Sequence, residues 1–204
     1  SGSAQLLDKE FQRESHNTIH NELTNIILRE SNRMIETISD FLRFSRPETL
    51  EQQWFSLTGC LNEVMEVCKV GQSWPATAQL VVNIDATTDI WADPGHMSTV
   101  ITHLIQNALA FCPPGKEQIT ISATEYKNSK TLDKITISIT DNGPGIAKEI
   151  QEKIFEPFFT TRSNGTGLGL AVVKQIIERH NGEVSVSQGE NGGACITLTL
   201  PLPS

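Results

Sequence analysis

Between Ser3 and Arg46 apolar residues return every three or four positions, with charged and polar residues between them and no Gly or Pro. Ile19, Leu23, Ile26, Ile27, Met34, Ile35, Ile38, Phe41 and Leu42 share one side of that pattern. It predicts an amphipathic helix of about 25 to 30 residues. Such a helix cannot bury its apolar side alone, so the pattern calls for a partner helix from a second copy of the chain. Pro47 ends it, because the residue before a proline avoids helical backbone angles. The chain therefore divides into a helical segment, 1–46, and a second domain, 47–204.

Beyond Pro47 the period alternates between two and three to four. "QWFSL" reads as a short strand, and 57–70 as a helix with Leu57, Leu61, Val64, Met65 and Val67 inward. "QLVVNID" reads as a strand. Asp93 caps a helix with Pro94 in its first turn, and Met97, Val100, Ile101, Leu104, Ile105, Ala108 and Phe111 share one side of it. Residues 118–125 and 134–140 alternate apolar and polar positions and pair as a hairpin. A further helix over 168–180 leads into a closing hairpin, "EVSVSQ" and "ACITLTLP" around "GENGG". The order predicts an α+β fold. It is a two-layer α/β sandwich with a mixed sheet of about five strands, three main helices on one face and the long helix in front.

Charge narrows the function. Lys and Arg total 16 against 24 Asp and Glu, a net of −8, with no basic cluster, which excludes a nucleic-acid partner. No apolar run reaches the roughly 18 residues of a membrane helix. The chain is expected to be cytoplasmic, any membrane attachment running through regions outside it. Cys60, Cys68, Cys112 and Cys195 lack metal or disulfide spacing and read as buried thiols of a reducing compartment.

Four stretches carry chemistry. On the helix from 94 to 111, His103, Asn107 and Ala110 fall on a strip beside the apolar side. Asn107 there reaches a ligand or metal, or is a solvated polar residue. In "SITDNGPGIA" a strand runs into Asp141, with Gly143 and Gly145 either side of Pro144. A carboxylate so placed accepts from an amino group such as the adenine amine, and the glycines admit a ligand closely. The alternative is a plain strand-ending turn. Gly165, Gly167 and Gly169 open a helix whose first amides suit phosphate. No strand precedes them and no Gly-Lys-Ser/Thr occurs, which excludes dinucleotide and Walker-type loops. Between the glycine clusters, "FEPFFTTR" offers Phe155, Phe158 and Phe159 as anchors and Thr160, Thr161 and Arg162 as donors of a lid. The same residues also read as a core phenylalanine cluster beside a polar loop.

"HLIQNA", "DNGPGI", "FEPFFTTR" and "GTGLGL", in that order, resemble the N, first glycine, F and second glycine boxes of sensor histidine kinases. These belong to the ATPase superfamily that includes gyrase and MutL. "MIETISDFLRFSRPE" resembles the second helix of their dimerisation and phosphotransfer domain. The resemblance implies a site for Mg·ATP between the N-box helix and a short lid. Asp141 would bind the adenine amine, and Asn107, with His103 beside it, the Mg2+. Gly143, Gly145, Ile146, Phe158, Gly165, Thr166, Gly167, Leu168 and Gly169 would line the nucleotide. Thr160, Thr161 and Arg162 would meet the γ-phosphate, and His103, Asn107 and Arg162 would serve catalysis. The implied reaction carries the γ-phosphoryl to a histidine of a homodimer joined by the N-terminal helices, for relay to a response-regulator aspartate.

The sequence departs from that pattern in three places. His103 stands where many such kinases have Asn, and would contact Mg2+ through water or assist proton transfer. Ala110 replaces a frequent Lys, so one phosphate contact is missing and weak ATP binding is expected. The acceptor box of the first hairpin helix is absent, and His16 and His20 lie too near Pro47 to supply it. The acceptor histidine is therefore expected upstream of Ser1. The rival readings are a nucleotide-sensing module without phosphotransfer and an ATP-hydrolysing clamp. The short lid between Pro157 and Gly167 disfavours the clamp.

Overall fold

A computed structural model describes residues 49–70, 74–127, 133–162, 165–189 and 192–203, and many of those between 21 and 42. The chain divides into two compact units, Ser1–Leu42 and Arg43–Ser204. In the first, the described residues between 21 and 42 are helical, and this segment is α1. Leu23, Ile26, Ile27, Met34, Ile35, Ile38, Phe41 and Leu42 are all exposed on it. Ile19, the histidines at 16 and 20 and the break at Pro47 lie outside the described residues.

The second unit opens with strand β1 (Gln53–Ser56) and helix α2 (Leu57–Val70). Strands β2 (Gln79–Asn83) and β3 (Asp89–Ala92) follow, then helix α3 (Pro94–Phe111). β4 (Gln118–Tyr126) and β5 (Asp133–Asp141) form the predicted hairpin. Two short 3-10 turns, Lys148–Ile150 and Lys153–Phe155, precede α4 (Gly169–Arg179), and β6 (Glu183–Gln188) and β7 (Ala194–Leu202) close the chain. The main sheet runs β2-β4-β5-β7-β6. Only the β2–β4 pair is parallel, so the sheet is mixed as expected.

Alternation sets the two faces of this sheet. Ile119, Ile121, Ile135, Ile137, Ile139, Ile196, Leu198 and Leu200 are buried and form one core with the inward sides of α2, α3 and α4. Most residues of opposite parity are hydroxyl-bearing, and Ser138 and Thr197 meet across the β5–β7 pair at 3.2 Å.

Three readings change. β3, "DIWA", is a strand the pattern did not predict. Four residues show no usable alternation, and pairing with β1, Trp54 opposite Trp91, makes them extended. Val67 is exposed rather than inward. The stripe of α2 runs through Leu57, Leu61, Val64 and Cys68, and Val67 falls beside it in the last turn. Phe111, the last residue of α3, is also partly exposed, because it projects past the end of the core. Of the four thiols, those of Cys60, Cys68 and Cys112 are buried and that of Cys195 is half-buried.

Polar groups inside this unit set its pH response. His180, at the end of α4, is only 1% exposed. Burial pushes its pKa below the ordinary 6.5, against the hydrogen bond at Ile176. The unfolded chain therefore takes up the proton first. Stability from neutral His180 is complete above pH 6.5 and is lost as the pH falls towards the depressed value. A melting series from about pH 7.5 down to about pH 5 should show Tm falling, and replacing His180 by Gln should flatten that slope. A slope unchanged in the variant would refute this assignment.

Candidate functional site

The site is built around the second half of α3. At its start, Asp93 accepts from the His96 amide at 3.0 Å, satisfying one of the open donors of the first turn. Ten residues on, His103 faces the beginning of α4. A Cβ placed on Gly169 would lie 3.3 Å from His103 Nδ1, a tight contact that the His103 ring would have to relieve by a few tenths of an ångström. Asn107 stands one turn further along the same strip, half-buried, and Ala110 is exposed.

The turn after β5 packs on the far end of this helix. A Cβ on Gly143 would lie 2.8 Å from the Phe111 carbonyl oxygen. Asp141, at the end of β5, accepts at Oδ1 from the Gly143 amide at 2.8 Å and from the Ala194 amide at 3.1 Å. These two bonds aim the carboxylate and leave Oδ2 outside both of them. Gly145 has φ +77°, and a Cβ there would be 2.7 Å from the Gly192 carbonyl. Ile146 is half-buried and its carbonyl accepts from Gln151 Nε2 at 3.0 Å.

Residues outside the expected set hold this turn. Asn142 accepts from the Gln118 amide at 3.1 Å and donates to the Lys116 carbonyl at 2.7 Å, fastening the loop between α3 and β4. Gly193 approaches Asp141 so closely that a Cβ would lie 2.8 Å from Oδ1. In the sequence "GENGG" reads as an ordinary hairpin turn. A second glycine directly before β7 was the available signal, since one glycine suffices for a turn.

The lid differs from expectation at Phe158. This side chain is 65% exposed and anchors nothing, whereas Ile154 is buried and Phe155 and Phe159 are half-buried. The cause is backbone conformation: Phe158 has φ +68°, which turns its ring out of the core. Its amide donates to the Gly167 carbonyl at 2.8 Å. Gly167 itself has φ +70°, and a Cβ on it would lie 2.7 Å from Phe158 Cα. Gly167→Ala is therefore expected to cost about 1–3 kcal/mol of stability through strain and overlap. It should also weaken nucleotide binding, by opening the Phe158–Gly167 tie. Melting and calorimetric titration together check this, and a variant matching the parent in both would disprove the tie.

Thr160 shapes the turn that follows, its hydroxyl accepting from the Arg162 amide at 3.1 Å and bonding the Arg162 carbonyl at 3.3 Å. Thr161 is exposed beside it. The Arg162 guanidinium lies over the Phe111 ring, 5.9 Å from its centroid, which brings the lid to the end of α3. Gly165 donates to the Arg162 carbonyl at 3.2 Å. Thr166 Oγ1 accepts from the Leu168 amide at 3.3 Å, capping the approach to α4. The Leu168 side chain is buried at 1% exposure, so only its backbone faces the site. α4 has no acidic residue in its first turn, which leaves its positive end available to an anion.

All four motifs thus meet at α3. Among the described residues no three His, Cys, Asp or Glu side chains cluster closely enough to hold a metal ion. None of the described helices is long and apolar enough to cross a membrane.

Comparison with known proteins bears on the family and the fold. Residues 92–204, more than half the chain, match the family described as histidine kinase-, DNA gyrase B-, and HSP90-like ATPase. The sensor histidine kinase ZraS of Salmonella typhimurium is 36% identical over 182 residues, 89% of this chain and 38% of that protein. The signal transduction histidine-protein kinase AtoS of Escherichia coli is 34% identical over 94% of this chain and 31% of its own length. The chain thus spans well under half of these relatives. Among solved structures, the catalytic domain of histidine kinase ThkA is similar at TM-score 0.65 and 28% identity, covering 74% of this chain and 96% of that one. ThkA in complex with the response regulator protein TrrA is similar at TM-score 0.70 and 28% identity, covering 88% of this chain and 50% of that one. By the family match the chain belongs to the histidine kinase-, DNA gyrase B- and HSP90-like ATPases, and its relatives above are histidine kinases.

Proposed function

We propose that this chain is the ATP-binding catalytic part of a sensor histidine kinase, transferring the γ-phosphoryl of ATP to a histidine for relay to a response-regulator aspartate. The observation that carries the reading is the double closure on α3, with Gly143 against Phe111 at one point and Gly169 against His103 at another. One helix thereby serves as common wall to a base-reading turn and a phosphate-seating helix start.

In this reading Asp141 Oδ2 accepts from the adenine amine while Oδ1 stays on its two amides. The backbone at Gly143, Gly145 and Ile146 lies along the base. The amides from Gly165 to Gly169, with Thr166 and Leu168, seat the phosphates. Thr161 and Arg162 reach the γ-phosphate from the lid, Thr160 holds the turn that presents them, and Phe158 covers the mouth. Asn107 and His103 form the metal side. A cation there would be shared between Asn107 and the phosphates, as Mg2+ is commonly held. Mg2+ bound there would neutralise charge developing on the transferred group. His103 faces the phosphate-seating end of α4, where it would orient a water or take up a proton. Arg162 supplies the cation that Ala110 does not.

The remaining assignments follow from the same reading. The apolar side of α1 pairs with a second copy, the partner is a response regulator, and the domain works in the cytoplasm. Mixing this chain and ATP with a separate helical hairpin carrying an intact acceptor box should give acid-labile phosphohistidine on the hairpin. ATP affinity is expected in the range from about 1 μM to 1 mM. Binding without transfer would leave a nucleotide-sensing module, and nanomolar affinity would contradict the missing cationic contact.

A further inference from the structure

We propose that His180 is a positioning residue of the nucleotide site, clipping the end of α4 to the start of α3 so that the two site-bearing helices keep one register. The proposal rests on the reading of that site given above, but His180 lies at the opposite end of both helices and touches none of its residues.

The hydrogen-bond partners define the state of the ring. Nδ1 lies 2.7 Å from the Ile176 carbonyl, which only accepts, so Nδ1 carries the hydrogen. Nε2 lies 3.0 Å from the Asp93 amide, which only donates, so Nε2 is bare. One tautomer of neutral imidazole satisfies both, and the imidazolium satisfies only the first. Asp93 is itself fixed from two further sides: Oδ1 caps α3 through the His96 amide, and Oδ2 accepts from the Glu51 amide at 3.0 Å. His180 is held just as firmly, because Asn181 at φ 56° and the Gly182 amide on the Ile177 carbonyl terminate α4 around it.

Two fasteners therefore join α3 and α4. One is the approach of Gly169 to His103, the other the bond from Asp93 to His180. From Asp93 to His103 is ten residues and from Gly169 to His180 eleven, roughly 15 and 17 Å of helix. The helices run antiparallel, and α4 is held at both of its ends against the stretch of α3 from Asp93 to His103. With the Gly169–His103 contact alone, α4 would tilt about its own start, and the direction in which its first amides point relative to Asn107 would change. A histidine that merely filled volume would need no acceptor aimed at a backbone amide.

The titratable groups facing His180 are Asp93, at the β3–α3 junction, and His96 on α3, whose ring meets it edge-on at 5.9 Å. His96 also lies 4.0 Å from Asp93 Oδ2. Burial, outweighing the Ile176 bond and the Asp93 charge, keeps His180 neutral near physiological pH.

The test compares the parent chain with His180→Gln and His180→Leu. Gln places its Oε1 near the position of Nε2, whereas Leu fills similar space without an acceptor. Calorimetric titration with a non-hydrolysable ATP analogue and Mg2+ should show Gln within about twofold of the parent and Leu weaker by about tenfold, as for a site wall displaced by less than 1 Å. Leu binding as tightly as the parent would overturn the proposal. Should the Leu variant not fold, the pH profiles of parent and Gln variant decide. Between about pH 7.5 and pH 5 the parent's affinity should fall more steeply, since only the parent's residue 180 can charge. Parallel profiles would overturn the clip. A parent chain that binds no nucleotide would overturn the site reading together with the clip, whereas a parent that binds alongside an unaffected Leu variant overturns the clip alone.

Discussion

Replacing Asp141 by Asn is expected to lower affinity for ATP by about a hundredfold or more while leaving the domain folded. In the proposed site the carboxylate would do two jobs with two oxygens. Oδ1 accepts from the amides of Gly143 and Ala194, and Asn keeps an oxygen to accept both. The fold therefore keeps its turn, and melting should change little. The second oxygen becomes an NH2 group, which in the proposed site would present donor against donor to the adenine amine. A site built to pair with a donor rejects a mismatch strongly because its own polar group is then left unpaired. Calorimetry with ATP and with a purine triphosphate lacking the amine checks the base contact. The parent should prefer ATP and the variant should not. Equal affinity of parent and variant for ATP would sink the adenine assignment.

Asn107→Ala should remove the benefit of Mg2+ and lower phosphoryl transfer by about a hundred- to a thousandfold. Asn107 sits on α3, between a helix start capped by Asp93 and a helix end approached by Gly143 and Arg162. Truncation would remove the proposed ligand oxygen and little packing, since the residue is only half-buried. Titrations with Mg2+ and with a chelator should differ for the parent and coincide for the variant. A variant that still gains affinity from Mg2+ would place the metal elsewhere, with His103 as the next residue to change.

Much of this was legible before the fold was known because it is encoded locally. The period of Met97, Val100, Ile101, Leu104, Ile105 and Ala108 specifies a helix with one buried side, and His103 and Asn107 then share a neighbouring strip by geometry alone. Alternation over 134–140 fixes which side of β5 is buried, and Asp141 closes that strand. Phe158 shows where such reasoning fails. Three phenylalanines within five residues read as equal anchors, yet a left-handed backbone at the middle one turns its ring to solvent. That conformation is held by Gly167, nine residues away, and no property of Phe158 announces it. β3 fails differently, since its four residues are extended only through pairing with β1.

Periodicity and glycine placement, both properties of neighbours along the chain, thus carried the fold class, the helix wall, the two glycine turns and the acidic residue between strand and turn. Contacts between distant segments belong to the folded chain. These include Gly193 and Ala194 holding Asp141, Asn142 fastening the loop before β4, Arg162 resting on Phe111, and His180 reaching Asp93. Each such bond depends on where two backbones pass in space, and sequence spacing does not record that distance.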